Sequence, residues 1–187
     1  CRTCPGYDFT SWKAAMEVFP SLYLAEELTL CNDSVFAPVG SYAPVYATMK
    51  SVPCDFWGMV ASNEIMPHLQ SYHLVFNKKA LSNKAVKQFF SSIPADLSRD
   101  KAIGFELRLG LWLELHGLQP GAFIPFFILD YGNPTVCLWK QILRWGCPIF
   151  KREHLNKAGT LTKLGNWFSN LQKHGYPVNY SLEYYYR

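Results

Sequence analysis

The chain has 187 residues, 49% of them hydrophobic and 16% aromatic, with 17% charged and a formal net charge of +4. That length suits one domain with a sizeable core, and the composition excludes disorder. The basic residues are scattered (Lys78-Lys79, Lys84, Lys87 and residues 144–152) rather than set in a stripe among aromatics, which excludes a nucleic-acid reader, and no apolar run is long enough to cross a bilayer.

In chain order, Asp8 or Thr10 caps a first helix whose apolar stripe, Trp12, Ala15, Met16 and Phe19, stops at Pro20. Residues 28–31 form a short buried strand, followed by the polar tip Asn32-Asp33-Ser34 and a turn at Ala37-Pro38. A carboxylate at a strand end sits where α/β sheets bind ligands, although Asn-Asp-Ser is also ordinary turn chemistry. Residues 44–49 fit a short helix and residues 54–60 a second buried strand. Residues 68–76 alternate as a strand that ends at Asn77-Lys78-Lys79, so His68 and Gln70 share a face and Ser71 takes the other. Residues 82–90 form a helix with Val86, Phe89 and Phe90 inward. The longest helix runs over about residues 100–116, with Ile103, Leu107, Leu111 and Leu115 as its stripe and Gly117 as its stop. Beyond Leu118, residues 126–129 read as a buried strand, 135–145 and 161–174 as helices, and 180–186 as an aromatic tail. Strands alternating with helices give an α/β class.

Cysteines stand at positions 1, 4, 31, 54, 137 and 147. Cys1-x-x-Cys4 has no second pair at matching spacing for a zinc site, so reduced thiols in a cytoplasmic compartment are expected.

Three carboxylates occupy places where an apolar frame could hold a charge in a cleft: Asp33, Asp55 and Glu106. His68, Gln70 and Ser71 add polar handles. Each also has a plain structural explanation. Glu106 could complement a helix dipole, Asp55 could be a strand-edge turn residue, and His68 a satisfied core or surface histidine. The sequence carries no Gly-rich phosphate loop and no Ser-His-Asp spacing.

Several ordered motifs carry a resemblance. They are Gly6-Tyr7-Asp8-Phe9-x-x-Trp12-Lys13; Leu30-x-Asn32-Asp33-Ser34-Val35-Phe36-Ala37-Pro38; Asp55-Phe56-Trp57-Gly58-Met59; and His68-Leu69-Gln70-Ser71-Tyr72-x-Leu74-Val75-Phe76. Asn133-Pro134-Thr135 with Trp139, and then Pro148-Ile149-Phe150-Lys151, continue the series. Together, over about residues 2–152, they resemble the rhamnan synthesis protein F family. Its members are bacterial glycosyltransferases or glycosyltransferase-like domains that build rhamnose-containing cell-wall, capsular or O-antigen polysaccharide.

The resemblance implies a GT-A-like (Rossmann-like) mixed sheet flanked by helices. It implies that Asn32, Asp33, Ser34 and Asp8 face a nucleotide-diphosphate donor such as dTDP-rhamnose. It also implies that Asp33 meets Mg²⁺ or Mn²⁺ where the fold usually carries Asp-x-Asp. Only one carboxylate stands in that motif here, whereas a hard cation wants several oxygen ligands. Trp57, His68, Gln70 and Ser71 are expected to line the acceptor side. Glu106, Leu109 and Gly117 match the spacing of the catalytic carboxylate in inverting GT-A enzymes, so Glu106 is the implied base, ahead of Asp55. Family members normally begin with a strand–helix–strand segment that grips the nucleotide, and this chain is expected to start after it.

These readings give a single glycosyltransferase-like domain over residues 1–187, with a core over 2–152 and a helical, aromatic extension over 153–187, as part of a longer protein. Its expected partners are a nucleotide-sugar and a glycan or lipid-linked glycan acceptor, met at the cytoplasmic face of the inner membrane. The second reading is a non-catalytic glycan-binding or assembly domain derived from such an enzyme.

Overall fold

The computed structural model describes residues 6–125, 132–152 and 172–173. The strand expected over 126–129, the aromatic tail, most of the 161–174 helix, and Cys1 and Cys4 lie outside the described residues.

Helix α1 (Asp8–Val18) buries Phe9, Trp12 and Met16, and Trp12 donates from its indole N–H to the Cys31 carbonyl at 3.1 Å. Phe19, expected inward, stands 59% exposed, because Pro20 ends the helix and turns the chain into a 3₁₀ segment over Pro20–Leu24. Strand β1 (Glu27–Cys31) then leads through the Asn32-Asp33-Ser34 tip to β2 (Val35–Phe36), and the Ala37–Pro38 peptide is cis. Helix α2 (Ala43–Lys50) precedes β3 (Phe56–Ser62), which is buried at every position.

After β3 come β4 (His68–Leu69) and β5 (His73–Asn77) rather than one continuous strand. The break has a physical cause in its hydrogen bonds. Gln70 still gives its N–H to the Val60 carbonyl, but Ser71 gives its own to the Glu106 side chain, which takes the chain off the ladder at that residue. The shared face expected for His68 and Gln70 is lost with it. Helices α3 (Lys78–Ser82) and α4 (Lys84–Ser91) each start on an asparagine, Asn77 and Asn83, whose side-chain oxygen accepts an N–H from Ala80 and Ala85 respectively. Val86, Phe89 and Phe90 are buried as expected.

Helix α5 (Arg99–Leu115) ends at Gly117, whose φ of 80° closes the helix in the left-handed region that glycine favours. Its inward face differs from the expected one. Leu109 and Leu113 are buried, with Ala102, Phe105 and Trp112 packed beside them, whereas Leu111 and Leu115 are 47% and 74% exposed. A stripe stepping only by four residues drifts about 40° per step around a helix of 3.6 residues per turn, so its ends leave the core.

Strand β6 (Pro120–Ile124) follows, earlier than the strand expected over 126–129. The remaining elements are α6 (Pro134–Cys137), α7 (Trp139–Arg144) and β7 (Phe150–Lys151).

β3 is the centre of the sheet. β5 pairs antiparallel to it and β6 parallel to it over the same Phe56–Gly58 stretch, so they lie on opposite sides. β1 pairs antiparallel with β5, and β4 covers the Ala61–Ser62 end of β3. The result is the expected α/β class, a mixed sheet flanked by helices. Phe56, Leu74 and Phe76 face α1, α4 and α5, while Trp57, Met59 and Val75 face α2 and α7. Each fully buried side chain of this size contributes about 1.5–3 kcal/mol of hydrophobic stabilisation. β7 pairs separately with β2, setting Lys151 against Val35 and Phe150 against Phe36.

Candidate functional site

The tip after β1, the turn before β5, the first turns of α5 and the end strand β7 meet around an open cleft of about 180 Å³. Pairing of Cys31 with His73 fixes the first two of these side by side. β7 is tied in by its ladder to β2 and by the Arg152 N–H, which donates to the Ser34 carbonyl at 3.0 Å.

Five of the residues expected in a site converge here: Asp8, Asn32, Ser34, Ser71 and Glu106. Asn32 is the internal brace. Its Nδ2 donates to Asp8 Oδ2 at 2.9 Å, while its Oδ1 accepts from the Ser34 N–H at 3.1 Å and the Ser34 hydroxyl at 2.6 Å. Burial pushes the Asp8 carboxyl above its ordinary range. The Asn32 hydrogen bond works against this, and the negative charges of Asp33 and Glu106 add to it. Glu106 Oε1 accepts the Ser71 N–H at 2.7 Å, which orients the carboxylate, and Glu106 is part of the cleft lining.

Two cations that sequence reasoning did not single out share the lining, Arg99 at the first position of α5 and Lys151 on β7. The Lys151 ammonium sits 5.9 Å from the centroid of the buried Tyr72 ring. Lys151 closes the Pro148-Ile149-Phe150-Lys151 motif, so a signal for it was present; Arg99 had none beyond its place at a helix start.

Asp33 is not in the cleft. Its carboxylate is 92% exposed and turned to the Arg152 guanidinium, which donates to the Asp33 carbonyl at 2.6 Å and reaches Oδ2 at 3.3 Å. Among the described residues no group of three or more His, Cys, Asp or Glu side chains is placed to hold a metal ion. The cleft carboxylates among the described residues are Asp8 and Glu106, each already accepting a hydrogen bond, whereas a hard divalent cation takes about six or more oxygen ligands.

Asp55 lies at the far end of the sheet. Phe56 pairs with Phe76, and the Asn77 N–H donates to the Asp55 carbonyl, whereas the cleft lies beyond the Cys31–His73 pair. At about 3.4 Å per residue, four residues of ladder separate the two ends by roughly 14 Å. The Asp55 carboxylate accepts from Lys79 Nζ at 2.8 Å and from the Gln119 N–H at 2.9 Å. Burial alone would raise its pKa, but these partners outweigh it and hold the carboxyl below the usual range. Asp55, expected as a catalytic carboxylate behind Glu106, therefore stands apart from the cleft that Glu106 lines, and it ties β3 to α3 and the start of β6.

The remaining expected residues are also dispersed. Trp57 is buried against Tyr46 and His73, with ring centroids 5.2 and 5.8 Å away. The Gln70 side chain is buried and accepts the Thr135 hydroxyl at 2.8 Å. His68 bonds through Nδ1 to the Met66 carbonyl at 2.8 Å and borders a different, mainly apolar cavity of about 430 Å³ beneath β3 and α5.

Sequence reasoning also passed over His73. Its ring stacks on Tyr42 at 5.3 Å, and its two nitrogens lie 3.5 Å from the Cys31 sulfur and 3.3 Å from the Tyr46 hydroxyl. Burial lowers its pKa to about 4, so it is neutral near pH 7.

Fold and cleft together define an α/β domain with a polar cleft that combines two carboxylates with two cations. The sequence pattern of the family described as rhamnan synthesis protein F matches residues 1–185, and the chain belongs to that family. Among curated proteins it is similar to virulence protein VirA of Vibrio anguillarum (strain ATCC 68554 / 775), at 26% identity over 203 residues, and equally to VirA recorded for Vibrio anguillarum without that strain designation. These alignments cover 86% of the chain and 65% of each relative, so the chain accounts for about two thirds of their length. No solved structure matches it. Membership connects the chain with polysaccharide synthesis at the level of the family.

Proposed function

We propose that the chain is the acceptor-activating part of a glycosyltransferase that adds a sugar, rhamnose, to a growing cell-surface polysaccharide, and that Glu106 is its base. The observation that carries the reading is the Glu106 carboxylate, which lines the cleft and is held through one oxygen by the Ser71 N–H. An acceptor hydroxyl gives its proton to the other oxygen as its own oxygen attacks the anomeric carbon. The bond from that carbon to the donor diphosphate breaks, the diphosphate leaves with the electron pair, and the configuration inverts. Asp8 and Ser34, braced by Asn32, supply hydrogen-bonding partners for sugar hydroxyls.

The substrates in this reading are a nucleotide-diphosphate sugar such as dTDP-rhamnose and a glycan or lipid-linked glycan. The reading sets the reaction in the cytoplasm at the inner face of the membrane, where nucleotide sugars are made; four described cysteines, Cys31, Cys54, Cys137 and Cys147, are free thiols, as that compartment favours.

The test is transfer from dTDP-rhamnose to an oligosaccharide acceptor by the protein that carries this chain. Glu106→Gln should lower kcat by about 10²–10⁴-fold while leaving donor affinity within a few-fold. Undiminished turnover would remove Glu106 from the chemistry. Oligosaccharide binding without transfer would favour the second reading, a glycan-binding or assembly domain.

A further inference from the structure

Arg99 and Lys151 come from elements more than fifty residues apart in sequence, yet both line the cleft that holds Asp8 and Glu106. Neither forms an ion pair with a carboxylate among the described residues, where the pairs are Lys13–Glu17, Lys78–Glu26, Lys79–Asp55 and Arg152–Asp33. The two cleft carboxylates are already turned to donors of their own, Asp8 to Asn32 and Glu106 to the Ser71 N–H. The cleft therefore combines positive charge with hydroxyl acceptors in one lining. A neutral glycan would use only the acceptors, and a simple anion only the cations; a ligand with sugar hydroxyls beside phosphate uses both.

We propose that Arg99 and Lys151 form a metal-independent clamp for the diphosphate of the sugar donor, neutralising the charge that builds on the leaving group. The proposal rests on the transferase reading for the ligand's sugar, but the clamp itself is a binding site that can be measured without catalysis. Arg99 offers a forked guanidinium for two phosphate oxygens, and it opens the seventeen-residue helix α5, whose first-turn N–H groups add to the positive potential. Lys151 adds a point charge from a separate element, anchored by the β2–β7 ladder. Asp33, the residue expected to engage the diphosphate through a metal, is turned away to Arg152, so the clamp takes over the neutralising part.

Calorimetric titration of the full chain with inorganic pyrophosphate, in EDTA, is the direct measurement. Binding should appear without a divalent cation and weaken as salt is raised. Arg99→Gln and Lys151→Gln should each weaken it about ten- to a hundredfold, and Arg99→Lys and Lys151→Arg should restore most of it. Thermal melting shows that each variant is folded. Parallel titrations with dTDP and with farnesyl diphosphate identify whether the natural diphosphate is carried by a nucleoside or by a lipid, since the tighter one reports the source. Pyrophosphate binding that is unchanged in the Arg99→Gln, Lys151→Gln double variant, or that requires Mn²⁺, overturns the clamp. If the clamp binds as expected while Glu106→Gln transfers sugar normally, the transferase assignment of Glu106 fails and the anion site stands. If Glu106→Gln abolishes transfer but pyrophosphate ignores Arg99 and Lys151, the clamp alone fails.

Discussion

The Ser71 backbone N–H donates to Glu106 Oε1 at 2.7 Å, joining the turn before β5 to the second turn of α5. One bond thus ends a strand ladder and aims a carboxylate. Glu106→Gln keeps an oxygen in that place, so its stability should stay within about 0.5 kcal/mol of the parent. Glu106→Ala leaves the Ser71 N–H, on a nearly buried residue, without a partner and should cost about 1–3 kcal/mol. Urea unfolding of the two variants checks this, and equal losses would mean the bond has no structural weight.

Asp55 supplies the contrasting case, a carboxylate in the sequence motif that is structural. Its two partners, the Lys79 ammonium and the Gln119 N–H, hold α3 and β6 to the edge of β3. Asp55→Ala should destabilise the fold by about 2–4 kcal/mol, because the Gln119 N–H is stranded beside a lost ion pair, yet the variant that remains folded should transfer sugar at the parental rate. Since the folded carboxyl titrates below the usual 3.8, its contribution is present at neutral pH and is lost only as pH falls through that low value. A kcat loss in folded Asp55→Ala would return Asp55 to the chemistry.

What was legible in the sequence follows from how many neighbours decide each feature. β3 is covered on both faces, so Phe56 to Val60 reads as a continuous apolar run. The inward face of α5 was not legible because apolar residues surround that helix, from Ile103 and Phe105 to Leu111 and Leu115, and only packing against α4 and β4 selects one side. The residues 68–76 look like one strand because alternation cannot register that Glu106, thirty-five positions on, captures the Ser71 N–H. The cleft was half legible. Asp8, Asn32, Ser34, Ser71 and Glu106 converge as their motifs suggest, but the outward turn of Asp33 depends on Arg152, 119 residues away.

Asn32 gives a sharp test of the brace at the cleft floor. In Asn32→Asp the donor that faces Asp8 Oδ2 at 2.9 Å becomes a second carboxylate oxygen beside a carboxyl already raised by burial. At pH 7 the like charges and the lost bond should cost about 1–3 kcal/mol. As pH is lowered, the carboxyl whose pKa is raised takes up a proton first and donates it to the other, so the deficit should shrink. Thermal melts across a series of falling pH values decide it; a deficit independent of pH would mean that charge is not the cause.

His73 carries the clearest pH dependence. Its ring is 4% exposed, stacked on Tyr42, and bonded to Tyr46, whose hydroxyl lies 3.1 Å from Thr29 Oγ1. The groups packed around it, Cys31, Tyr42 and Tyr46, all have their pKa raised by burial, so none of them gains or loses charge in mildly acid solution. Folded His73 protonates only near 4, whereas in the unfolded chain it does so near 6.5. Between those values the unfolded state binds more protons, so stability is full above about 6.5 and declines as pH falls toward 4, by about 3 kcal/mol across the window. Asp8, with its raised pKa, pulls the other way in part of that range, but equally in any His73 variant. His73→Phe keeps a ring on Tyr42 and removes the titration. Its stability should therefore change less between pH 7 and pH 4.5 than that of the parent, measured by urea unfolding at each pH. Parallel curves for the two proteins would show that His73 is not the titrating group.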